Sequence, residues 1–345
     1  LGEAMKESEW TYAKAGVDID RKSLAISALV GHLKYRRQGD VRMVELPGQF
    51  TGLVEMGDHI LTMATDGVGT KLLIAEALNK WDTVGIDCMA MNVNDTICVG
   101  AEPLAFVDYI AIDHPDEKIT DQLGIGLNKA AELANVDIIG GEIAVLPELV
   151  RGVDLSGTAL GLVRKVDMVT GGDVREGDAI IGLRSSGVHS NGMTLARKVL
   201  ESADVSLDDH VDGLDRSIGL ELLTPTDIYV RDVLRLTREV KVTGMVDVTG
   251  GGLKNFVRLK KGLQYQITDP IDPHPIFKVI QSMGGVTDLE MYKTFNMGMG
   301  YGIILPEENV EEALSILGEK AKKVGRVIKG AGCGIPSLNV HYDTY

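Results

Sequence analysis

Cysteine is nearly absent. Cys88, Cys98 and Cys333 are the three in 345 residues, at spacings that fit no metal-ligand pattern, and three cannot all pair. A disulfide scaffold is thereby excluded, and free thiols in a reducing cytosol are the expectation. Positive charge is also short: 35 Lys and Arg stand against 50 Asp and Glu, a formal charge of −15. Without a basic field the chain is not expected to bind nucleic acid in general. No apolar run approaches the roughly 18 residues of a membrane span. The opening LGEAMKESEW is too polar and acidic for a signal peptide. A cytoplasmic protein without a membrane partner is the expectation. Aromatic residues make up only 5%. There is no Gly-x-Ser-x-Gly elbow. His32, His59, His114, His210, His274 and His341 lack metal-ligand spacing.

What is present is ordinary for a folded protein: 44% hydrophobic and 25% charged residues, with an excess of glycine at 41. Glycine excess without low complexity points to tight loops where backbone approaches something closely. The length suits two domains, with a joint at TGGDVREGD, Thr170 to Asp178. This divides the chain into 1–170 and 171–345. HILTMATD, PLAFVDYIAI, VDIIGGE, DLSGTALGLVRKVDMV and AIIGLR are predicted strands; a first helix is expected near Lys22 to Leu33. DTVGIDCMAMNVNDTICVGA, DQLGIGLNKAAELANV, MTLARKVLESA, the stretch after Pro225 and the one after TGGG are predicted helices. The alternation indicates α/β and α+β domains.

Four clusters could carry chemistry. In ATDGVGTK, Asp66 ends a strand beside Gly67, Gly69, Thr70 and Lys71, an arrangement able to hold a metal-bound polyphosphate. It is neither a Walker loop, since threonine precedes lysine, nor a dinucleotide loop, since Leu72 takes the third glycine position. An ordinary strand-to-helix turn with an aspartate cap is the alternative. Asn92, Asn94 and Asp95 interrupt an apolar helix, where each unsatisfied polar group costs roughly 1–3 kcal/mol. Helix-to-loop hydrogen bonding suits Asn92, and a hard cation suits Asp95. Gly140, Gly141 and Glu142 repeat the pattern of strand end, glycines and acid. Asp66, Asp95 and Glu142 could thus converge on Mg²⁺, although one or two carboxylates normally suffice. The loop SSGVHSNG, Ser185 to Gly192, leads into a helix and offers an anion site with His189 placed to exchange a proton. Thr249 to Gly252 offers a second such loop. Met297 and Met299 are expected to be packing residues.

TYAKAGVDID, TDGVGTK, GIDCMAMNVNDTICVGAEPLAFVDY, IIGGE, SSGVHSNG, VTGGGL and EMYKTFNMGMG occur in this order. Over nearly the whole chain the set resembles phosphoribosylformylglycinamidine cyclo-ligase, the aminoimidazole ribonucleotide (AIR) synthetase family. The resemblance implies a two-domain AIR synthetase-like fold whose N-terminal domains pair into a β-barrel across a homodimer. It implies ATP and Mg²⁺, and the ATP-dependent closure of formylglycinamidine ribonucleotide to 5-aminoimidazole ribonucleotide in purine biosynthesis. By the motif match Asp66, Asp95 and Glu142 would hold Mg²⁺. Lys71, Gly67, Gly69, Thr70, Gly140 and Gly141 would meet the nucleotide, with Lys14 closing over it. Ser186, His189, Ser190, Asn191 and Gly251 would meet the substrate, with His189, Lys71 and Asp95 as catalytic candidates.

After IIGGE that family commonly continues Thr-Ala-Glu-Met-Pro-Gly, whereas this chain reads IAVLPEL, with Val145 at the expected acid. Competing readings are a sister enzyme, such as the amidine-forming synthetase, and a catalytically silent nucleotide binder.

Overall fold

The computed structural model describes residues 10–17 and 19–345. The rest of the opening stretch and Asp18 lie outside the described residues. The described residues build two sheets. The first contains β1 (Arg42–Met43), β2 (Gly52–Met56), β3 (His59–Gly67), β4 (Glu102–Ile112), β5 (Asp137–Val145) and β6 (Val153–Arg164). Their spatial order is β1-β2-β3-β6-β4-β5. Neighbours are antiparallel except β4 and β5, which run parallel because a helix carries the chain back between them.

Helix α1 (Ile19–Val30) precedes this sheet, α2 (Leu72–Ala77) and α3 (Val84–Ile97) follow β3, and α4 (Glu117–Ala134) is the crossover. The Asp116 carboxylate caps α4 by accepting the Lys118 amide at 2.8 Å. The chain leaves α4 through Asn135 in the left-handed region. Helices α3 and α4 touch backbone to backbone at a pair of glycines. A Cβ on Gly85 would lie 2.4 Å from the Leu127 nitrogen, and one on Gly126 2.7 Å from the Asp82 oxygen. That contact presses α3 onto the sheet and buries it along nearly its whole length.

The second sheet contains β7 (Ala179–Arg184), β8 (Gly244–Asp247), β9 (Leu263–Ile267), β10 (Met299–Leu305), β11 (Ala321–Lys329), β12 (Gly332–Ile335) and β13 (Val340–Tyr342). Their order is β13-β12-β9-β11-β7-β10-β8. Helices α5 (Met193–Ser202), α6 (Ile218–Leu222), α7 (Val230–Glu239), α8 (Pro275–Gly284), α9 (Asp288–Thr294) and α10 (Val310–Leu317) accompany it. One apolar core runs continuously from the first sheet into the second. Helix α3 is the link, because it also packs on α7 and β8. Met297 and Met299 are buried in that core, as expected.

Two elements depart from the sequence reading. The helix expected directly after Pro225 begins only at Val230, because Thr224 and Thr226 hold an interdomain ion pair instead of continuing a helix. The helix expected after TGGG is a 3₁₀ helix, Gly252–Arg258. Strands β1, β2, β9, β12 and β13 were not legible, being short and weakly alternating.

Candidate active site

Strand β3 delivers Asp66 to the seam between the sheets, and Asn92 pins it there. The Asp66 amide donates to Asn92 Oδ1 at 2.8 Å, while Asn92 Nδ2 donates to the carbonyl of Cys88 at 2.8 Å. This is the helix-to-loop role expected of Asn92. The Asp66 carboxylate accepts the Gly67 amide at 2.7 Å. Asp66 keeps an open surface, yet the protein around it displaces enough water to raise its carboxyl, with the Lys22 charge on α1 opposing. Lys14 sits on the exposed turn at 12–16, which is tethered to the second half of the chain by the Tyr12 amide donating to Glu290 Oε1 at 2.8 Å.

Beyond Asp66, Gly69 takes a φ of +70° and starts a one-turn 3₁₀ helix leading into α2. Thr70 Oγ1 lies 2.9 Å from Thr194 Oγ1 on α5, which joins the ATDGVGTK loop to the helix behind SSGVHSNG.

Lys71 points away from that loop's open side. Its side chain is 0% exposed and its ammonium donates to Asp87 Oδ1 at 2.8 Å and to the Thr224 carbonyl at 2.6 Å. The same Asp87 oxygen accepts the Thr226 amide at 2.8 Å, the Thr226 hydroxyl at 2.6 Å and the Ser190 hydroxyl at 3.2 Å. Burial pulls the Lys71 pKa down, with Asp87 opposing. The expected phosphate grip is therefore not the geometry found: Lys71 and Asp87 clamp the two halves of the chain together. Sequence reading sees Asp87 only as one polar residue in a buried helix, because its partners lie in a segment far along the chain.

The SSGVHSNG loop is held from within. Ser186 Oγ donates to the Pro225 carbonyl at 2.6 Å, and Ser190 reaches Asp87. Asn191 is half-buried, its Nδ2 at 3.9 Å from Met91 Sδ. A Cβ on Gly250 would lie 2.8 Å from Asn191 Oδ1, so the TGGG loop folds directly against SSGVHSNG. Gly251 follows at φ +105°, where an added Cβ would lie 3.4 Å from the Tyr345 ring. Gly192, at φ +81°, starts α5 without a side-chain cap, leaving the helix N-terminus to its backbone amides.

His189 is buried with φ +65°. Its Nε2 accepts the Ser186 amide at 3.3 Å. Burial, then the charges of Lys71 and His274, lower its pKa from 6.5 to about 3. A neutral ring with Nε2 engaged positions the loop and is poorly placed as an open proton carrier. Because the folded value lies below the unfolded one, the unfolded chain binds the extra proton between about 3 and 6.5. Stability is complete above 6.5 and falls as pH drops through that window. Between pH 6.5 and 5 the wild type is expected to lose about 2 kcal/mol more than His189→Gln. Urea unfolding at both pH values checks this; parallel losses would refute it.

Asp95 is half-buried, but its Oδ1 is shut off from solvent and has no hydrogen-bond partner. Burial, then the Asp66 charge, raises its carboxyl well above the ordinary range, with Arg258 opposing. The neighbouring Asn94 ties α3 to the second half, accepting the Tyr229 amide at 3.1 Å and donating to the Asp227 carbonyl at 2.9 Å.

Glu142 does not join these two acids. Register aligns Asp66, Gly157, Asp108 and Gly141 in one row across the sheet. Glu142 is one residue further, opposite Tyr109, and strand alternation turns it to the other face. Among the described residues no three His, Cys, Asp or Glu gather as a metal ligand set. Gly140 and Gly141 are exposed on the edge strand β5, and a Cβ on Gly141 would strike Asp108 Oδ1 at 2.5 Å. Val145, the departure from the resembled pattern, pairs with Ile112 at the far end of β5, four residues past the Asp66 row.

Comparison with known proteins agrees with this architecture. Residues 48–163 match the family described as AIR synthase related protein, N-terminal domain, and 175–335 the corresponding C-terminal domain. The phosphoribosylformylglycinamidine cyclo-ligase of Methanocaldococcus jannaschii is 47% identical, covering 92% of each chain. That of Methanococcoides burtonii is 47% identical, covering 97% of this chain and all of its own. Among solved structures, AaThiL complexed with AMPPCP and TMP superposes with a TM-score of 0.65 at 18% identity, covering 98% of this chain and 100% of that one. The chain belongs to the phosphoribosylformylglycinamidine cyclo-ligase family of AIR synthase related proteins.

Proposed function

We propose that this protein closes the imidazole ring of 5-aminoimidazole ribonucleotide from formylglycinamidine ribonucleotide, consuming ATP. The observation that carries the reading is the 47% identity, over nearly full length, to curated cyclo-ligases. The geometry is compatible with it, because the Thr70–Thr194 contact ties the ATDGVGTK loop to the helix that follows SSGVHSNG. A phosphoryl donor on one loop and an acceptor on the other would face each other across a single seam.

An amide oxygen is a poor leaving group. In the proposed reaction the formyl amide oxygen attacks the γ-phosphorus of ATP, forming an O–P bond as the bridging P–O bond breaks and ADP leaves. The amidine nitrogen then attacks the formyl carbon, the C–O bond breaks, and phosphate carries away the former formyl oxygen. The formyl amide nitrogen and the attacking amidine nitrogen each release a proton, and a methylene proton shifts to the exocyclic nitrogen as the ring becomes aromatic. Holding the nitrogen beside its own formyl carbon supplies much of the rate advantage of cyclisation.

The donor set fits a divalent cation. Asp66 is engaged by one amide of its own turn, and Asp95 carries a buried oxygen without a donor. Asp66 and Asp95 would hold Mg²⁺, with amides of Gly67 to Thr70 toward the polyphosphate. When bound, the cation would neutralise charge on the phosphoryl groups. AaThiL, a structural relative, is itself complexed with the ATP analogue AMPPCP. The α5 N-terminus, Asn191 and the TGGG loop would receive the ribose phosphate, and Ser186, His189 and Ser190 would shape that pocket from behind. The three cysteines are free and buried, in keeping with a reducing cytosol.

A homodimer belongs to this reading. The sheet face away from α3 leaves Met63 56% and Tyr109 42% exposed, and along the β5 edge Ile139 is 68% exposed. Such an apolar face is what a second copy would cover, and Glu142 would then lie within that interface. Tyr109→Asp is expected to yield particles of 37.1 kDa by light scattering where the wild type gives twice that mass. A wild type that is already monomeric would remove the dimer from the reading.

The deciding assay supplies formylglycinamidine ribonucleotide, ATP and Mg²⁺ and follows the diazotisable aminoimidazole. Amine formed in step with ADP is the expected result. ADP without the amine would point to a sister phosphoryl transfer, and neither product from protein that binds ATP would sink the assignment.

A further inference from the structure

The TGGG loop carries three successive glycines, with Gly251 at φ +105° and Gly252 at φ +51°, so its own backbone does little to fix it. Asn255 holds it instead. That side chain is buried, and its Nδ2 donates to the Gly252 carbonyl at 3.0 Å and to the Gly250 carbonyl at 3.4 Å. A side-chain amide turned the other way round would present an acceptor to those carbonyls. Asn255 Oδ1 accepts from Arg258 Nη1 at 3.4 Å, and a guanidinium has donors alone. Arg258 therefore selects the orientation of Asn255 that holds the loop.

Arg258 is in turn fixed by two other parts of the chain. In the first half, the turn before β2 receives it. Nη2 donates to the Gln49 carbonyl at 2.8 Å, Nε donates to the Gly48 carbonyl at 3.2 Å, and the guanidinium lies over the Phe50 ring at 3.9 Å. Gly48, at φ +88°, lets the turn come this close, since a Cβ there would lie 2.3 Å from the Arg258 carbonyl oxygen. The turn is itself tied down by Gln49 Nε2 donating to the Thr170 carbonyl at 3.0 Å. From beyond β13, the Tyr345 ring lies 4.9 Å from the same guanidinium and 5.9 Å from Lys254 Nζ. A planar, forked cation can stack on rings while donating to three separate oxygens, and an ammonium cannot.

We propose that Arg258, locked by the Gly48–Phe50 turn and by Tyr345, is a positioning residue of the substrate's phosphate site. Through Asn255 it sets the TGGG loop against Asn191, and it does so from across the seam between the two halves. This rests on the reading that the ribose phosphate binds at these loops. A loop that is already ordered costs less to order on binding, so the effect falls on substrate affinity and leaves the chemical step alone. Charge is not enough for this role, because a lysine at 258 would lack the fork that reaches Gly48, Gln49 and Asn255 together.

Steady-state kinetics of the full-length protein, with formylglycinamidine ribonucleotide and ATP varied separately, tests this. Arg258→Lys keeps the charge and is expected to raise KM for the ribonucleotide about 10-fold, with kcat and KM for ATP within about twofold of wild type. Tyr345→Ala should shift the same KM in the same direction by less, and Tyr345→Phe, which keeps the ring, should restore it. A ribonucleotide KM within about twofold of wild type in both Arg258→Lys and Tyr345→Ala would overturn the proposal. So would an equal rise in KM for ATP, which would make Arg258 a general brace of the seam. Should Arg258→Lys fail to fold, the Tyr345 pair decides by the same criteria. Asn191→Ala, run in parallel, separates this inference from the reading beneath it. If it raises KM for the ribonucleotide while the other variants do not, only the positioning role falls. If none of the variants moves that KM, the placement of the ribose phosphate at these loops falls as well.

Discussion

Lys71→Met is expected to lower the unfolding free energy by about 3–5 kcal/mol, the usual consequence of stranding one member of a buried ion pair. Lys71 and Asp87 are each 0% exposed, so Asp87 would keep its charge with only the Thr226 and Ser190 donors left to it. The Thr224 carbonyl would also lose its partner. The loss falls on the joint between the sheets, because Lys71 and Asp87 belong to the first half of the chain and Thr224, Thr226 and Ser190 to the second. Urea unfolding measures it, and the double variant Lys71→Met/Asp87→Leu should be less damaged than the sum of its parts. A Lys71→Met midpoint indistinguishable from wild type would show that the clamp contributes nothing. If Lys71 instead left the clamp to grip a phosphate, the variant would stay folded and lose ATP affinity, so stability and binding together separate the two roles.

Asp95→Asn is expected to reduce turnover at least about 10²-fold, the scale seen when a preorganised electrostatic group is removed from a transition-state site. The fold should survive, because the amide is isosteric and the change relieves repulsion between Asp95, Asp66 and Asp247. The expected signature is therefore divergent: Tm without metal unchanged or higher, with product formation nearly gone. Asp66→Asn should follow it in turnover with a smaller effect on Tm, since Asp66 remains open to solvent. Near-wild-type production of the aminoimidazole by either variant would refute the cation assignment. Asn92→Ala would cost stability by a different route, freeing the end of β3 from α3 without removing any charge from the site.

The sequence was readable where chemistry is local. Asp66 at the end of a strand, the glycine turn after it and the loop leading into α5 all follow from residue types a few positions apart, and the structure places each as expected. The long strands β3, β4 and β6 and the buried helix α3 were visible through their alternation or their apolar run. Convergence was not visible. Lys71 looks like a phosphate lysine because it follows Gly69 and Thr70, but its neighbour in space is Asp87, four helical turns' worth of sequence away and facing inward. Glu142 looks like a third metal ligand because it ends a GGE motif, yet a single-residue offset in register turns it to the opposite face.

Residue order alone determined the family, the two-part α/β and α+β organisation and the loops that approach phosphate, since these depend on periodicity and on short-range backbone freedom. Tertiary structure alone decided which polar groups remain available. Thr226, 139 residues from Asp87, and Ser190, 103 residues away, engage its carboxylate, and no pattern within one segment encodes that pairing. The reason is physical: a charge in a chain is defined by its type, whereas its state in a fold is set by which donors and charges reach it once water has been displaced.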